Sequence, residues 1–290
     1  MLSASSAPEP DPAENPLRPG LCGVVLTLDG ERLLERCLAS LAFCDEILVV
    51  DCGSVDSTLA ICAKYSARVL QRDWDGFAGQ FRFAQDNVQR RWFFILDQDE
   101  ICPPALGGEI LRSIERAEKL TGASAGSGGK VGGESVVAFS VGRRSWYLNR
   151  FMKHSGWHPD HITRVFCTGH VEFHEDAHIH YRPLGKAEHI GAGPDMELIH
   201  YPYTGFFHQL EKLNSYAERG AKSLRAHKQR GGIARGIGHG MGRFIRIYIL
   251  KRGFLDGRAG FLVACHGAFY AFLKYVRVLE ASWGDPYDHK

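Results

Sequence analysis

Short apolar runs alternate along the first third of the chain with stretches whose apolar positions recur every three or four residues. Residues 21–28, LCGVVLTL, predict a buried strand, and Leu33, Leu34, Cys37, Leu38 and Leu41 repeat at helical spacing behind it. Residues 46–50 predict a second strand that ends at Asp51. The following DCGSVDST places a tight turn at Gly53 and offers Ser54 or Asp56 as the cap of a helix through residues 61–65. Residues 68–70 form a third strand, 80–89 a helix and 92–96 a fourth strand. Repeated strand and helix at short intervals imply βα units in a mostly parallel sheet, an α/β fold.

The fourth strand opens the stretch WFFILDQDE, residues 92–100. Five apolar residues with aromatic and β-branched character suit a strand buried on both faces. The run stops at Asp97, Gln98, Asp99 and Glu100, and Pro103 and Pro104 mark the start of a helix reaching about residue 120. Acids at the carboxyl end of a buried strand lie where open α/β sheets place their ligands. Two carboxylates one residue apart in such a turn can converge on one centre, and hard oxygen ligands suit Mg²⁺ or Mn²⁺. A solvated acidic turn is the alternative reading of the same residues.

Beyond the helix, residues 121–133 (TGASAGSGGKVGG) read as a flexible insertion. Residues 135–141 alternate as a strand, 143–155 read as an exposed loop, and 162–166 predict another strand after a turn that carries Asp160. Ten of the fourteen histidines fall between His154 and His208. The spacing of His170, His174 and His178 would place three imidazoles on one face if this segment were helical, which is the arrangement zinc would need. Its Gly, Pro and β-forming residues argue against a helix, and HExxH is absent.

Charge changes the picture in the last third. Residues 205–258 carry 12 Lys or Arg against 3 Asp or Glu, although the whole chain has a net charge of only +2. Basic, aromatic and apolar residues from 205 to 280 predict helices that either lie in an anionic membrane interface or pack as a hairpin on the sheet. The longest apolar run there, residues 261–273, is shorter than the roughly 20 residues that cross a bilayer. GGIARGIGHGMG, residues 231–242, reads as a flexible joint. Eight cysteines form no CxxC and suit a reducing cytoplasm. Residues 1–20 hold five prolines and no apolar core, so they read as a disordered tail and not a signal peptide, with residues 281–290 a second tail. This divides the chain into an α/β domain over residues 21–204, which carries the candidate chemistry, and a helical region over 205–280.

In their order and spacing, CDEILVVDCGSVDST (44–58), WDGF (74–77), LDQDE (96–100), GWHPD (156–160) and GFLDG (253–257) give the chain a recognisable identity. It resembles a family 2 (GT-A) glycosyltransferase of the bacterial lipopolysaccharide-core β-1,4-glucosyltransferase type, from residue 21 to about 280. The resemblance implies that Thr27, Asp29, Asp51, Gly53, Arg82, Asp97 and Arg164 meet a nucleotide-sugar donor. It implies that Asp97 and Asp99 hold a divalent metal, that Asp160 is the catalytic base, and that His174 and Glu175 are the second choice for that role or for meeting the acceptor. The expected reaction is an inverting transfer from a UDP-linked sugar to a lipid-linked saccharide, by a cytoplasmic protein peripheral on the inner face of the membrane and without nucleic acid. The chain departs from the family at Asp29-Gly30, where Asn-Glu is usual, and at Phe81-Arg82, where Lys-Asn is usual.

Two other classes share parts of this pattern. A nucleotidyltransferase would need a Gly- and basic-rich loop after the first strand, which residues 27–31 (TLDGE) lack, and a non-catalytic sugar-nucleotide or membrane adaptor would need no base. GxGxxG after the first strand and GxxxxGK[ST] are both absent, which disfavours a Rossmann dehydrogenase or a P-loop kinase.

Overall fold

A computed structural model of the chain describes residues 17–124, 135–175 and 179–282. Strand β1 (Arg18–Thr27) leads to helix α1 (Leu34–Ala39), β2 (Glu46–Asp51), α2 (Thr58–Lys64), β3 (Arg68–Gln71), α3 (Phe77–Asn87) and β4 (Arg90–Ile95). β1 lies between β2 and β4, parallel to both, and β3 extends the parallel array beyond β2. The apolar runs are unbroken because this part of the sheet is covered on both faces. Trp92, Phe94 and Leu96 pack on one side with Leu34, Leu38 and Ile61. Phe93 and Ile95 point the other way, toward Phe81 and Ala84 of α3.

The second half of the sheet is mixed. After β5 (Glu100–Ile101) and α4 (Pro104–Ser124) come β6 (Val136–Tyr147), β7 (Arg150–Phe151) and β8 (Asp160–Cys167), and β8 runs antiparallel between β4 and β6. β9 (Val171–Glu175) and β10 (Ile179–Pro183) form a separate antiparallel pair that lays Phe173 and Tyr181 on Phe81 of α3. β11 (Lys186–Ile190) and β12 (Glu197–His200) are both parallel to β6, and the order runs β3-β2-β1-β4-β8-β6-β12-β5. The direction of winding reverses between β1 and β4, where a cleft forms at the carboxyl ends of the strands.

Helices α5 (Phe206–Ala226), α6 (Ile233–Ile245) and α7 (Gly257–Val276) follow, with α7 packed on the other two. They are fastened to the sheet domain through Asp256, whose carboxylate accepts from the backbone N–H groups of Lys153 and His154 and from the Ser155 hydroxyl at 2.9–3.1 Å. Ala259 and Val263 of α7 meet Tyr147 and Met152 beside this anchor.

Several expectations change. Gly231–Gly242 is not a joint: most of it is helix α6, and Gly236 and Gly240 let it approach α7 closely. A Cβ there would sit 2.9 Å from the Phe272 carbonyl oxygen and 3.1 Å from that of Ala268 respectively. Residues 143–147 complete β6 instead of forming a loop, because Arg143 finds partner strands on both sides and Ser145 pairs with His200 of β12. The segment of His170 and His174 is a turn and strand, so these rings share no helical face, and His178 lies outside the described residues. β1 begins at Arg18, inside the expected tail, and residues 1–16 lie outside the described set. α4 continues to Ser124, inside the expected insertion, whose remainder from 125 also lies outside it. Residues 281–282 end a 3₁₀ turn, and 283–290 are not described. The apolar run at 261–273 belongs to a longer helical stretch, Gly253–Glu280, which by length and composition is sufficient to cross a membrane.

Candidate active site

The carboxyl ends of β1, β2 and β4 bring the first residues together. Thr27 pairs in register with Asp51, and the Thr27 hydroxyl lies 2.6 Å from the Gln98 side-chain oxygen. Asp51 is fully buried and accepts from the N–H groups of Gly53 and Ser54 at 3.1 Å, so its carboxylate shapes the turn after β2. Asp29 accepts from the Val55 N–H at 2.9 Å and locks the loop after β1 to that turn. Its neighbour must be small, because a Cβ on Gly30 would lie 2.6 Å from the Thr27 hydroxyl and 2.8 Å from Gln98. The departure from the family at Asp29-Gly30 therefore builds a tight link between two loops.

Strand register assembles the charged centre. β12 pairs antiparallel with β5, setting His200 beside Glu100, and parallel with β6, setting it beside Ser145. Arg143 of β6 pairs with Asp160 of β8. Glu100 is completely buried and accepts from Arg143 at 2.9 Å and from Arg164 at 3.0 Å. Burial alone would raise its carboxyl, but Arg164 and Arg143 outweigh burial and hold it below the ordinary value. Arg164 also donates to Asp97, and Arg143 donates to Asp160 through Nε at 2.8 Å. Two guanidinium groups thus tie Asp97, Glu100 and Asp160 into one network.

Asp99 sits beside this network with its oxygens 3.6 Å from Lys212 Nζ and 3.8 Å from His200 Nε2. Burial raises its carboxyl, and repulsion from Asp97 and Glu100 adds to that, against the pull of His200 and Lys212. Burial also pushes His200 down to about 4, so the ring is neutral near pH 7. Its Nδ1 lies 2.9 Å from the Ser145 hydroxyl, which fixes the ring and leaves Nε2 toward Asp99. A carboxylate without full compensation and a second carboxylate two residues earlier are hard oxygen donors that fit Mg²⁺ or Mn²⁺. Among the described residues no three His, Cys, Asp or Glu side chains cluster tightly enough to hold a metal by themselves. Mg²⁺ is commonly held by one or two carboxylates together with substrate phosphate and water.

Two cavities open onto these groups. One of about 320 Å³ is walled by Asp160, Trp157, His200, Tyr203 and Lys212, and the other, of about 340 Å³, by Asp97, Arg164, Ile162, Tyr181 and Phe81. Arg143 and Tyr216 line both. Arg82 and His174 lie elsewhere, on a surface cavity beside Asp75 and Gly79 at the start of α3. There Arg82 donates to the Phe173 carbonyl at 3.2 Å and His174 faces Glu172. Glu175 ends β9, and its side chain is not among those described.

Sequence reasoning did not single out Glu100, Arg143, His200 or Lys212. Glu100 was visible in the acidic run, but its burial depends on β12 and β8. Arg143 was hidden inside a segment read as loop, and His200 inside a histidine-rich stretch whose strand pairing no local pattern displays.

The family model "Glycosyl transferase family 2" matches residues 24–176. Over 270 residues the chain is 26% identical to the lipopolysaccharide core biosynthesis glycosyltransferase LpsC of Rhizobium meliloti (strain 1021), covering 90% of this chain and 92% of LpsC. An uncharacterized glycosyltransferase of Rickettsia bellii (strain RML369-C) is 22% identical over 266 residues, 89% of this chain and 85% of its own. Among solved structures, S. aureus TarS 1-349 aligns with 90% of each chain at 13% identity and a TM-score of 0.43. Since the family pattern runs through more than half of the chain, from within β1 to just past β9, this protein belongs to glycosyl transferase family 2.

Proposed function

We propose that the protein moves a sugar from a nucleotide-sugar donor, UDP-linked, to a hydroxyl of a lipid-linked saccharide such as lipopolysaccharide core, with inversion at the anomeric carbon. The observation that carries this reading is the pair of arginines that draw Asp97, Glu100 and Asp160 from separate strands around adjoining cavities. The similarity to LpsC along nearly all of both chains supports the acceptor class.

Both contacts from Arg143 fall on one oxygen of Asp160, Oδ2. Arg143 orients the carboxylate while Oδ1 takes the proton of the acceptor hydroxyl. That hydroxyl oxygen forms a bond to the anomeric carbon as the bond from this carbon to the phosphate oxygen breaks on the opposite face, and the electron pair leaves with the nucleoside diphosphate. Asp97 and Asp99 would hold a divalent cation, which when bound supplies Lewis-acid stabilisation of the departing diphosphate. Arg143, Arg164 and Lys212 add fixed positive charge where negative charge develops. Thr27, Asp29, Asp51 and Gly53 shape the wall against which the nucleotide rests. Arg82 meets a donor phosphate only if the nucleotide extends past α3, and His174 with Glu175 is the reserve choice for the acceptor side.

The face of α6 and the turn after it supports a peripheral place on the inner membrane surface. Ile233, Ile237, Met241, Ile245 and Ile249 recur at every fourth position and are each 49–62% exposed. Arg235, Arg243, Arg246, Lys251 and Arg252 flank them, the composition of a helix that lies in an anionic interface.

Incubation with Mn²⁺ and a panel of nucleotide sugars tests the reading, with nucleoside diphosphate as the readout. Release from a UDP-sugar is expected, together with its loss in excess chelator. Asp99→Ala and Asp160→Asn should each slow turnover by about 10² to 10³. Pyrophosphate from a nucleoside triphosphate would make the protein a nucleotidyltransferase, and no product from any donor would make it an adaptor.

A further inference from the structure

A third cavity, of about 350 Å³, adjoins the one that holds Asp160 and shares Tyr203 with it as a wall. Its other walls include Trp146, Tyr201, Phe206, Gln209 and Arg32. None of these was singled out by sequence, and none belongs to the charged network described above. We propose that this cavity is a saccharide subsite for the acceptor, and that it takes a sugar unit bearing a phosphate or carboxylate group. The proposal rests on the glycosyl-transfer reading and adds to it the place and the chemical class of the acceptor unit next to the reacting hydroxyl.

Three features carry it. The first is aromatic surface left uncovered. Phe206 opens α5 with 55% of its area exposed, and Trp146 is only half-buried, with Phe151 edge-on to it at 5.0 Å. Sugars present flat patches of C–H bonds that pack on such rings, and small-molecule sites characteristically combine apolar walls with a few placed polar groups. Gln209 provides one of these polar groups. It is buried, and its side-chain oxygen accepts from the Tyr147 hydroxyl at 2.9 Å, which leaves its NH₂ as a donor at the wall.

The second feature is Arg32, exposed on the loop after β1 and in no ion pair among the described residues. A free guanidinium at the mouth of an aromatic cavity matches a planar carboxylate or a phosphate by paired hydrogen bonds. The third feature is backbone strain. Leu148 lines the cavity at φ 55°, a left-handed conformation that a bulky residue other than glycine rarely adopts. Strain of this kind persists where surrounding structure enforces it and concentrates at ligand sites. The turn at Leu148 also receives the Trp146 indole N–H on its carbonyl at 3.1 Å, which holds the ring in place at the cavity wall.

The test is equilibrium binding to the full-length protein, by titration calorimetry, of glucose, glucose 6-phosphate and glucuronic acid. Wild type is expected to bind the two anionic sugars more tightly than glucose. Phe206→Ala and Trp146→Ala should weaken binding of all three by about tenfold, the equivalent of one lost aromatic contact. Arg32→Gln should erase the preference for the charged sugars while leaving glucose unaffected. Phe206 and Arg32 are exposed, so their variants report on binding without threatening the fold, and Trp146→Phe should retain most of the affinity. Unchanged affinities in Phe206→Ala and Trp146→Ala would overturn the proposal, and so would failure of all three sugars to bind wild type. Failure of wild type to release nucleoside diphosphate from any nucleotide sugar would sink the transfer reading instead, and the sugar titrations would still decide the cavity.

Discussion

At the scale of single residues, the centre is built from charges that do different work. Glu100 is the one most deeply held: it lines neither of the two cavities at the charged centre, yet Arg143 and Arg164 both donate to it. Removing one partner of a buried ion network leaves the others without the charge that offsets their desolvation. Glu100→Ala is therefore expected to cost about 3–5 kcal/mol of folding stability, read as a lower urea midpoint, with Glu100→Gln milder because it still accepts hydrogen bonds. An unchanged midpoint in Glu100→Ala would show that the guanidinium groups find other partners. Asp97, Asp99 and Asp160 could be picked out from their places after apolar runs and in motifs. What each carboxylate touches could not, because the arginines come from other strands: Arg164 of β8 lies 67 residues beyond Asp97, and Arg143 of β6 lies 17 residues before Asp160.

At the scale of elements, the helical region shows how far a local pattern carries. The glycines of residues 231–242 signal freedom in an isolated chain, but in the fold two of them become the seam between α6 and α7, because only a residue without Cβ lets these backbones approach so closely. His266 of α7 lies at the neighbouring seam, its ring 6.1 Å from that of Tyr203. Burial pushes this histidine below its ordinary range, a bond to the backbone of Gln209 partly offsets that, and the charge of Arg243 adds to it. The folded state thus favours the neutral ring, and the unfolded chain takes up the proton first as pH falls. The stability from the neutral ring is present above about pH 6.5 and declines on acidification toward the depressed folded value. Urea midpoints of wild type should accordingly drop more steeply below pH 6.5 than those of His266→Gln. Parallel slopes for the two proteins would remove His266 as the cause.

At the scale of the whole molecule, the charge centre, the aromatic cavity and the amphipathic face of α6 belong to one chain fastened together at Asp256. Vesicles containing phosphatidylglycerol should sediment the protein at low salt and release it as ionic strength rises, since each basic residue near an anionic surface contributes about 1 kcal/mol that salt screens. Ile237→Glu with Met241→Glu should abolish sedimentation while leaving the fold intact, because both side chains are exposed. A protein that stays in the supernatant with such vesicles at low salt would end the membrane assignment. The sequence by itself determined the alternation of strands and helices, the acids that close them and the family, because each of these is written in residues adjacent along the chain. Only the tertiary structure decided which acids share a guanidinium, that His200 faces Asp99 while His174 lies on a separate surface cavity, and that aromatic residues from β6 and from the segment joining β12 to α5 enclose a cavity beside Asp160. Those outcomes depend on strand register and helix packing between segments far apart in the chain, where the energy lies in contacts that no local pattern encodes.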